Sequence, residues 1–338
     1  MAEGTLIYLD DIKDRVSACA TEARSKQLDL ADRVGILRIT PVNETISKAK
    51  LEADPVMIWG PFWYEGECCI FFADTNIGKS ILAVQIAEDI AKSGKRVLIF
   101  DFEHTSKQFQ LRYTDLHTGE THKFPDEFMR AEIDLDNLDA DRMTDQVMDT
   151  LEEIADKDLF DVLIVDNITF LCINAEKSDE MTRLMQRFSN LKKRKAKEGK
   201  KISVMIIAHT PKRPLCLPLS INDLAGSKKL SIFADSVFAM GKSAKDINTV
   251  YLKQLKTRND KIIHGVDNVK LFTREKVGSM LRFVEQNPSV DNEMNLLDNS
   301  SLAKTEAVKE LTAEGRSCRD IARVTGMSKS AVNNIQHK

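Results

Sequence analysis

The sequence carries little excess charge and no cysteine pattern typical of a metal site. Its 49 lysines and arginines against 52 aspartates and glutamates give a formal net charge of −3, which excludes a protein that coats nucleic acid through its overall charge. Any DNA contact must therefore come from a local patch. The six cysteines form no CxxC pair, so zinc spacings are excluded and the cysteines are expected to be reduced core residues.

Long apolar runs are also missing. No segment approaches the ~20 apolar residues that a membrane-spanning helix needs, and Met1 to Asp10 lack the basic and apolar regions of a signal peptide. We therefore expect a cytoplasmic protein that has no membrane partner. Hydrophobic residues make up 42% of the chain, which is enough for a globular core.

Short apolar segments alternate with helical patterns in the middle of the chain. Strands are predicted at residues 69–72, 96–100, 161–165 and 202–208, and helices at 79–92, 139–156 and 179–197. Continuous apolar strands separated by helices predict an α/β fold with a mainly parallel sheet covered on both faces. After Ser231 an antiparallel extension is predicted, with strands at residues 233–240, 249–255, 267–272 and 278–284.

The composition divides the chain into four predicted parts. Residues 1–55 are a polar N-terminal arm, in which Lys13 to Arg33 have the pattern of an amphipathic helix. Residues 56–284 form the α/β domain. Residues 285–301, rich in Asn, Ser and Asp with little periodicity, are predicted to be a linker. Residues 302–338 form a small helical unit.

A phosphate-binding loop is predicted at residues 73–80, Ala-Asp-Thr-Asn-Ile-Gly-Lys-Ser, which is close to GxxxxGK[ST]. It follows a predicted strand and opens a predicted helix, where backbone N–H groups and the helix dipole favour phosphate. Lys79 is expected to reach the β- and γ-phosphates of ATP and Ser80 to hold Mg²⁺. Ala73 replaces the usual first glycine, which is tolerable if its φ is negative. The predicted nucleotide-binding residues are Ala73, Asp74, Thr75, Asn76, Ile77, Gly78, Lys79, Ser80 and Ile81.

Three other predicted strands end in polar residues. Asp166 ends an apolar strand taken to neighbour the phosphate-loop strand, and it is predicted to hold Mg²⁺ together with Ser80, although such an acid can simply form a turn. Glu103 is the candidate that activates the attacking water, or else an acid favoured at a helix N-terminus. His209 is the candidate sensor of the γ-phosphate, or else a structural histidine.

Lys256 and Arg258 follow another strand-like segment. Their spacing places two cations on the same face of an extended chain. Such a pair can reach the γ-phosphate of a neighbouring subunit as an arginine finger. The alternative is a solvated edge strand, in which charges prevent aggregation.

These motifs together resemble the RecA-like, hexameric-helicase branch of P-loop ATPases, and most nearly the RepA-type plasmid replicative helicases and the AAA-type ATPases of mobile elements. The resemblance covers about residues 55–284. It implies a RecA-like core, a homo-oligomeric, hexameric ring with ATP between subunits, and catalytic roles for Lys79, Glu103, His209, Lys256 and Arg258. It also implies a mobile loop, residues 211–226, that faces single-stranded DNA through Lys212 and Arg213.

The sequence departs from that family in two respects, and it lacks the signatures of three other families of nucleotide-binding proteins. Ala73 is one departure, and no primase domain is visible, so unwinding is left open. The chain has no LSGGQ-like signature of an ABC ATPase, no extra lysine early in the loop as in ParA-type ATPases, and no arginine-rich lid of a nucleotide kinase.

The C-terminal helical unit resembles the helix-turn-helix of resolvases and sigma-like regulators. Helices are predicted at residues 304–314, 318–324 and 329–336, with a turn at Gly326. The resemblance implies that the last helix enters the major groove of duplex DNA. The alternative is a helical hairpin that packs on the core or mediates assembly. The predicted contacts are Ser328, Lys329, Ser330, Asn333 and Asn334.

Two functions follow from these patterns. The first is an ATP-driven, DNA-associated oligomeric motor or helicase-like protein of a plasmid or mobile element. The second is an ATP-switched DNA-binding regulator with slow hydrolysis. The basic run Lys192 to Lys201 is expected to be a solvated helix end.

Overall fold

A computed structural model of the chain describes residues 16–17, 33–34, 37–133, 136, 139, 142–171, 178–211, 213–225 and 228–337. The chain forms two compact units, Met1–Asp54 and Pro55–Lys338. The division lies beside the predicted end of the N-terminal arm. The helix predicted between Lys13 and Arg33 falls mostly outside the described residues.

In its described residues the N-terminal unit contains a small hairpin and a helix after it. Strand β1 (Arg33–Val34) pairs antiparallel with β2 (Leu37–Arg38). Helix α1 (Val42–Ala49) follows Pro41 and buries none of its residues. No chemistry is assigned to this unit.

The second unit is built on a nine-stranded sheet within its described residues, with the order β13-β12-β11-β10-β5-β9-β8-β6-β7. Its strands are β5 (Cys68–Ala73), β6 (Val97–Asp101), β7 (Phe128–Ala131), β8 (Val162–Asp166), β9 (Ser203–His209), β10 (Ser236–Lys242), β11 (Thr249–Lys256), β12 (Val269–Val277) and β13 (Met280–Asp291). The strands from β10 to β7 run parallel, and β11, β12 and β13 pair antiparallel. The predicted α/β fold with an antiparallel extension is confirmed.

Helices cover both faces of this sheet. They are α2 (Lys79–Ala91), α3 (Ser106–Arg112), α4 (Met143–Asp156), α5 (Ile168–Leu171), α6 (Ser178–Lys197) and α7 (Lys228–Phe233), and a hairpin of β3 (Met57–Trp59) and β4 (Trp63–Tyr64) precedes β5. Helix α2 packs on one face, where its Ile86 joins Phe71. Helices α4 and α6 pack on the other face, where Phe188 joins Ile70.

The central strands are apolar along their whole length because both faces are buried. Ile70 and Phe72 of β5 point into one core, while Cys69 and Phe71 point into the other, and all four are 0% exposed. Alternation of side chains across a strand explains this division. A strand covered on both sides therefore reads as a continuous hydrophobic run, as the sequence predicted.

Two predictions about the second half of the sheet were wrong. Strand β10 is parallel to β5 rather than part of the antiparallel extension, because α7 lets the chain cross over β5 on its way from β9. The supposed linker at 285–301 is structured: β13 continues to Asp291, and Leu296 and Leu297 are buried. Pairing with β12 orders a polar segment that lacks a hydrophobic period of its own.

The C-terminal unit consists of α8 (Ser301–Ala313), α9 (Cys318–Thr325) and α10 (Lys329–Gln336). Val308, Ile321 and Val332 form its core, and Leu217 from the loop after β9 packs against that core. Cys216 is buried against Ala303 and Ala307 of α8. The unit is therefore docked on the sheet domain and is not separated from it by the predicted linker.

No helix in the described parts of the chain is both long and apolar enough to cross a membrane.

Candidate functional site

Polar residues converge at the carboxyl edge of the parallel strands. Ala73 ends β5 opposite His209 of β9, and Asp101 ends β6 opposite Asp166 of β8. Ligands of open α/β sheets bind at this edge. Strand β9 lies between β5 and β8. The prediction that the strand of Asp166 is the immediate neighbour of the phosphate-loop strand was therefore wrong.

The predicted phosphate loop has the expected strand–loop–helix form. Gly78 has φ 104° at the N-terminus of α2, and no side chain caps that helix. The N–H groups of the first turn are therefore available for an anion. A Cβ atom at position 78 would lie 2.8 Å from the ring of Phe283, so both the backbone angle and the space require glycine. Ala73 lies inside β5, where a side chain is readily accommodated.

The side chain of Lys79 extends back across the phosphate loop. Its Nζ donates to the carbonyl oxygens of Ala73 at 3.0 Å and Asp74 at 2.9 Å. Burial lowers the pKa of Lys79, and the nearby carboxylates of Asp166 and Glu103 oppose that shift. The loop is also held from β9, since the Thr210 hydroxyl donates to the Asp74 carboxylate and the Thr210 N–H to the Ala73 carbonyl oxygen at 3.3 Å.

Asp166 and Ser80 meet beside Lys79. Asp166 is 2% exposed, and burial raises its pKa to about 6 although the Ser80 hydroxyl donates to it. One carboxylate and one hydroxyl suit Mg²⁺, which takes few protein oxygens and completes its shell with water and phosphate. The predicted pair is therefore brought together in a form that fits this ion.

Glu103 and His209 are brought together by a residue that the sequence analysis did not single out. The side-chain Nδ2 of Asn167 donates to Glu103 Oε1 and lies 2.9 Å from His209 Nε2. Glu103 Oε1 itself lies 3.6 Å from His209 Nε2. Asn167 directly follows Asp166 at the end of β8, and this position at the carboxyl edge of the sheet is the signal that could have identified it.

Asp101 organises the turn that carries Glu103, and it too was missed. Its Oδ1 accepts from the backbone N–H of Glu103 at 3.1 Å and of His104 at 3.0 Å, and its Oδ2 accepts from Arg130 Nε at 3.0 Å. Burial opposes its ionisation, yet the His104 ring and the backbone N–H groups of Glu103 and His104 hold the pKa of Asp101 below its usual value. Two acids within three residues at a strand end could have indicated one structural and one functional carboxylate.

Lys256 and Arg258 lie away from the phosphate loop of their own chain. Lys256 is the last residue of β11 and Arg258 lies just beyond that strand, at the amino edge of the parallel strands, where Val237 pairs with Lys256. Lys256 Nζ donates to the carbonyl oxygens of Ser231 and Ala234, and Arg258 NH1 donates to Asp235 Oδ1 at 2.9 Å. Their positions exclude a contact with the nucleotide site of the same chain.

The loop after β9 is folded against the protein, and Lys212 lies outside its described residues. The side chain of Arg213 is 6% exposed, donates to the carbonyl oxygen of Leu217 and lies 3.6 Å from Asp223. This burial contradicts the prediction of Arg213 as a surface contact for DNA. The loop forms hydrogen bonds and apolar contacts of its own, so its charged residue is used to hold it in place.

A buried ion pair between Lys253 and Glu293 also holds this loop in place. Glu293, 0% exposed, accepts from Lys253 Nζ at 2.5 Å, from the Tyr251 hydroxyl at 3.0 Å and from the Leu219 N–H at 2.7 Å. These partners satisfy both charges, which makes such a pair tolerable in the interior. The loop is thereby joined to β11 and to the segment before α8.

The predicted DNA contacts of the C-terminal unit share one exposed face. Ser328 caps α10 by accepting from the Ala331 N–H, and Gly326 ends α9 with φ 68°. This turn leaves the N-terminus of α10 open to solvent. The exposed residues are Ser328, Lys329, Ser330, Asn333 and Asn334.

The basic run at the end of α6 is neutralised by acids. Lys192 pairs with Asp235 at 2.6 Å, Arg194 with Asp156 at 2.8 Å, and Lys195 with Glu198 at 2.8 Å. Arg194, 44% exposed, fits the solvated helix end expected from the sequence, whereas Lys192 and Lys195, whose side chains are 15% and 2% exposed, do not.

A family model described as an AAA domain matches residues 11–214. The chain belongs to the AAA domain family. The matched residues include the phosphate loop, Glu103, Asp166 and His209, and the core is that of a RecA-like P-loop ATPase.

The chain is similar to a named DNA repair protein and to a solved structure. It is 28% identical over 192 residues to the DNA repair protein RadA of Campylobacter jejuni, a match that covers 56% of this chain and 37% of the relative. The chain therefore spans less than half the length of that relative. A solved KaiC-like protein from Pyrococcus horikoshii aligns over 66% of this chain and 91% of its own, with 12% identity and a TM-score of 0.45.

Proposed function

We propose that this AAA domain protein is an ATP-hydrolysing, DNA-associated motor that acts as an oligomer. The observation that supports it most is the convergence of Lys79, Ser80, Asp166, Glu103 and His209 at one edge of the sheet. Each of these side chains has a distinct task in the transfer of a phosphoryl group to water.

The proposed chemistry assigns one task to each residue. Lys79 binds the β- and γ-phosphates, and the N–H groups of the loop hold the phosphate oxygens. Ser80 and Asp166 would hold Mg²⁺, which, when bound, neutralises charge on the phosphates. Glu103 orients the attacking water and accepts its proton, and its position at the edge of the site leaves it reachable by water, since its side chain is 39% exposed. His209 contacts the γ-phosphate.

The oligomeric part of the proposal rests on Lys256 and Arg258. Both lie at the edge opposite to the phosphate loop of their own chain, so they can act only on the nucleotide of a neighbouring subunit. The side chain of Arg258 is 52% exposed, which leaves it accessible to such a neighbour. A ring, of six subunits as the sequence resemblance implies, would place these cations at each ATP.

The DNA-associated part rests on the exposed face of α10 and on the likeness to a protein named for DNA repair. Single-stranded DNA is proposed to pass through the ring and duplex DNA to bind the C-terminal unit as a helix-turn-helix. Replication or mobilisation of a plasmid or mobile element, with helicase-like activity, is proposed from the sequence resemblance.

A second candidate is an ATP-switched regulator that binds duplex DNA and hydrolyses slowly. The observation that favours it is the docking of the C-terminal unit beside the phosphate loop. A cavity lined by Asp74, Arg213, Leu302 and Glu306 lies between the phosphate loop and α8, so the helical unit that carries the proposed duplex site borders the nucleotide site.

Glu103→Gln tests the hydrolytic part directly. The variant should bind a fluorescent ATP analogue as tightly as the natural chain but hydrolyse ATP about 10²–10⁴ times more slowly, because the amide cannot accept a proton. The matched control is Glu120→Gln, which makes the same chemical change at an exposed acid. Undiminished turnover in Glu103→Gln would remove Glu103 from the reaction.

Arg258→Ala separates the two candidates. A motor that uses this cation between subunits should lose about 10³–10⁵-fold in turnover, and mixing with the Lys79→Ala chain should restore part of it in mixed rings. A regulator should instead keep its turnover and retain duplex binding, measured by anisotropy, until Asn333 and Asn334 are changed to alanine.

A further inference from the structure

Asn167 lies between the two residues that the proposed reaction uses at the γ-phosphate. It is 5% exposed, and its Oδ1 accepts from the backbone N–H of Thr169 at 2.9 Å. This bond fixes the orientation of the amide, because only its oxygen can accept. The NH₂ group consequently faces Glu103 Oε1 and His209 Nε2.

The two hydrogens of that NH₂ group match the two acceptors. One is donated to the carboxylate of Glu103, and the other points to His209 Nε2 at 2.9 Å. A neutral imidazole carries its proton on one nitrogen only, and the hydrogen bond made by the other nitrogen decides which. With Nε2 as acceptor, the proton of His209 is on Nδ1, which is buried and has no hydrogen-bond partner among the described residues.

This arrangement conflicts with contact between His209 and a phosphate. Phosphate oxygens are acceptors, so a histidine that reports the γ-phosphate must offer an N–H to it. The nitrogen that accepts from Asn167 has no hydrogen to offer. Two hydrogen-bond arrangements of His209 therefore exclude each other: Nε2 accepting from Asn167, or Nε2 donating to phosphate.

We propose that Asn167 is a positioning residue that sets the tautomer of His209, and that γ-phosphate contact moves the ring proton from Nδ1 to Nε2. Nε2 takes a proton from water and Nδ1 gives a proton back to water, so the ring remains neutral and no net proton is taken up or released. The phosphate step rests on the proposed function, whereas the tautomer set by Asn167 does not.

The tautomer can be measured on the full chain labelled with ¹⁵N-histidine by magic-angle-spinning NMR. The chain has six histidines, and His209→Gln identifies the signals of His209. We expect a protonated Nδ1 and an unprotonated Nε2 in the chain without nucleotide. A protonated Nε2 in that sample overturns the role of Asn167.

Asn167→Asp tests the donor group at nearly constant shape. The aspartate keeps an oxygen for the Thr169 N–H but replaces the NH₂ group by a second acceptor, so His209 Nε2 should become protonated without nucleotide. Asn248→Asp makes the same chemical change in an exposed turn and should leave the His209 signals unmoved. An unprotonated Nε2 in Asn167→Asp contradicts the proposal, and the spectrum of the natural chain decides it if that variant fails to fold.

Mg²⁺ with ATPγS separates this inference from the proposed function. Binding is followed in the same sample by displacement of a fluorescent ATP analogue. If ATPγS binds and the proton of His209 moves to Nε2, the switch is supported. If it binds and Nε2 stays unprotonated, the switch is overturned. If it fails to bind, the nucleotide site is refuted, and the first two measurements still judge Asn167.

Discussion

At the scale of single residues, buried acids position other residues of the candidate site. Asp101 is 6% exposed and holds the backbone of the turn that carries Glu103, so Asp101→Asn should lower the free energy of unfolding by about 1–3 kcal/mol at pH 7, the usual cost of leaving buried donors poorly paired. Chemical denaturation measures this loss. Asp126→Asn, at an exposed position, is the control and should change little.

The effect of Asp101 has a defined pH window. Its pKa in the folded chain lies below the usual value of about 4, so its stabilisation is complete above that value and is lost as the pH falls through the lowered pKa. The stability difference between the natural chain and Asp101→Asn should therefore shrink in acid. A difference that stays constant down to pH 3 would contradict the role given to this carboxylate.

The ionisation of Asp166 has the opposite effect on stability from that of Asp101. Burial raises its pKa to about 6, so its charged form costs stability, and without Mg²⁺ the chain should lose ~1 kcal/mol from this group between pH 5 and pH 7. Asp166→Asn should remove that part of the pH dependence. Denaturant titrations of both chains at the two pH values test it, and equal pH dependence in both would show that Asp166 ionises without cost.

At the scale of elements, the phosphate loop accepts alanine in place of glycine at position 73 but requires glycine at position 78. Gly78→Ala should abolish ATP binding, because a Cβ would lie 2.8 Å from the Phe283 ring at a φ of 104°. Ala73→Gly, which restores the usual motif, should leave ATP affinity within about twofold and cost about 0.5–1 kcal/mol of stability. Isothermal titration with ATP compares the two, and tight binding by Gly78→Ala would refute the strict need for glycine.

The apolar elements were predictable because burial leaves a direct mark on sequence. Strands such as β5 and β8 are hydrophobic on both faces, and α2 and α6 begin within a residue of their predicted starts. The edge strand β7 and the polar end of β13 were missed, because their pairing partners order them and their own composition does not. The pairing direction of β10 depended on a crossover that no local pattern reveals.

The site residues divide in a similar way. Lys79, Ser80 and Asp166 belong to spaced motifs whose chemistry is local, and the structure brings them together as predicted. Asn167 and Asp101 act through contacts with residues far along the chain or through backbone bonds. Such partners become visible only when the strands are placed side by side.

At the scale of the whole molecule, the loop after β9 joins the phosphate-loop edge to the C-terminal unit. Leu217 packs against the core of that unit, so Leu217→Ala should destabilise α8 to α10 by about 1–3 kcal/mol, less than a fully buried leucine would lose. Hydrogen exchange should rise in these helices and stay unchanged in β5 and β9. Leu215→Ala, at a residue 56% exposed, is the control, and equal effects of both changes would contradict specific docking.

The most direct test of the motor is steady-state ATP hydrolysis by the full chain without DNA, with single-stranded DNA and with duplex DNA, using Lys79→Ala as the blank. The account predicts strong stimulation by single strands and none in the blank. Slow turnover that is indifferent to both kinds of DNA would contradict the motor and favour the ATP-switched regulator.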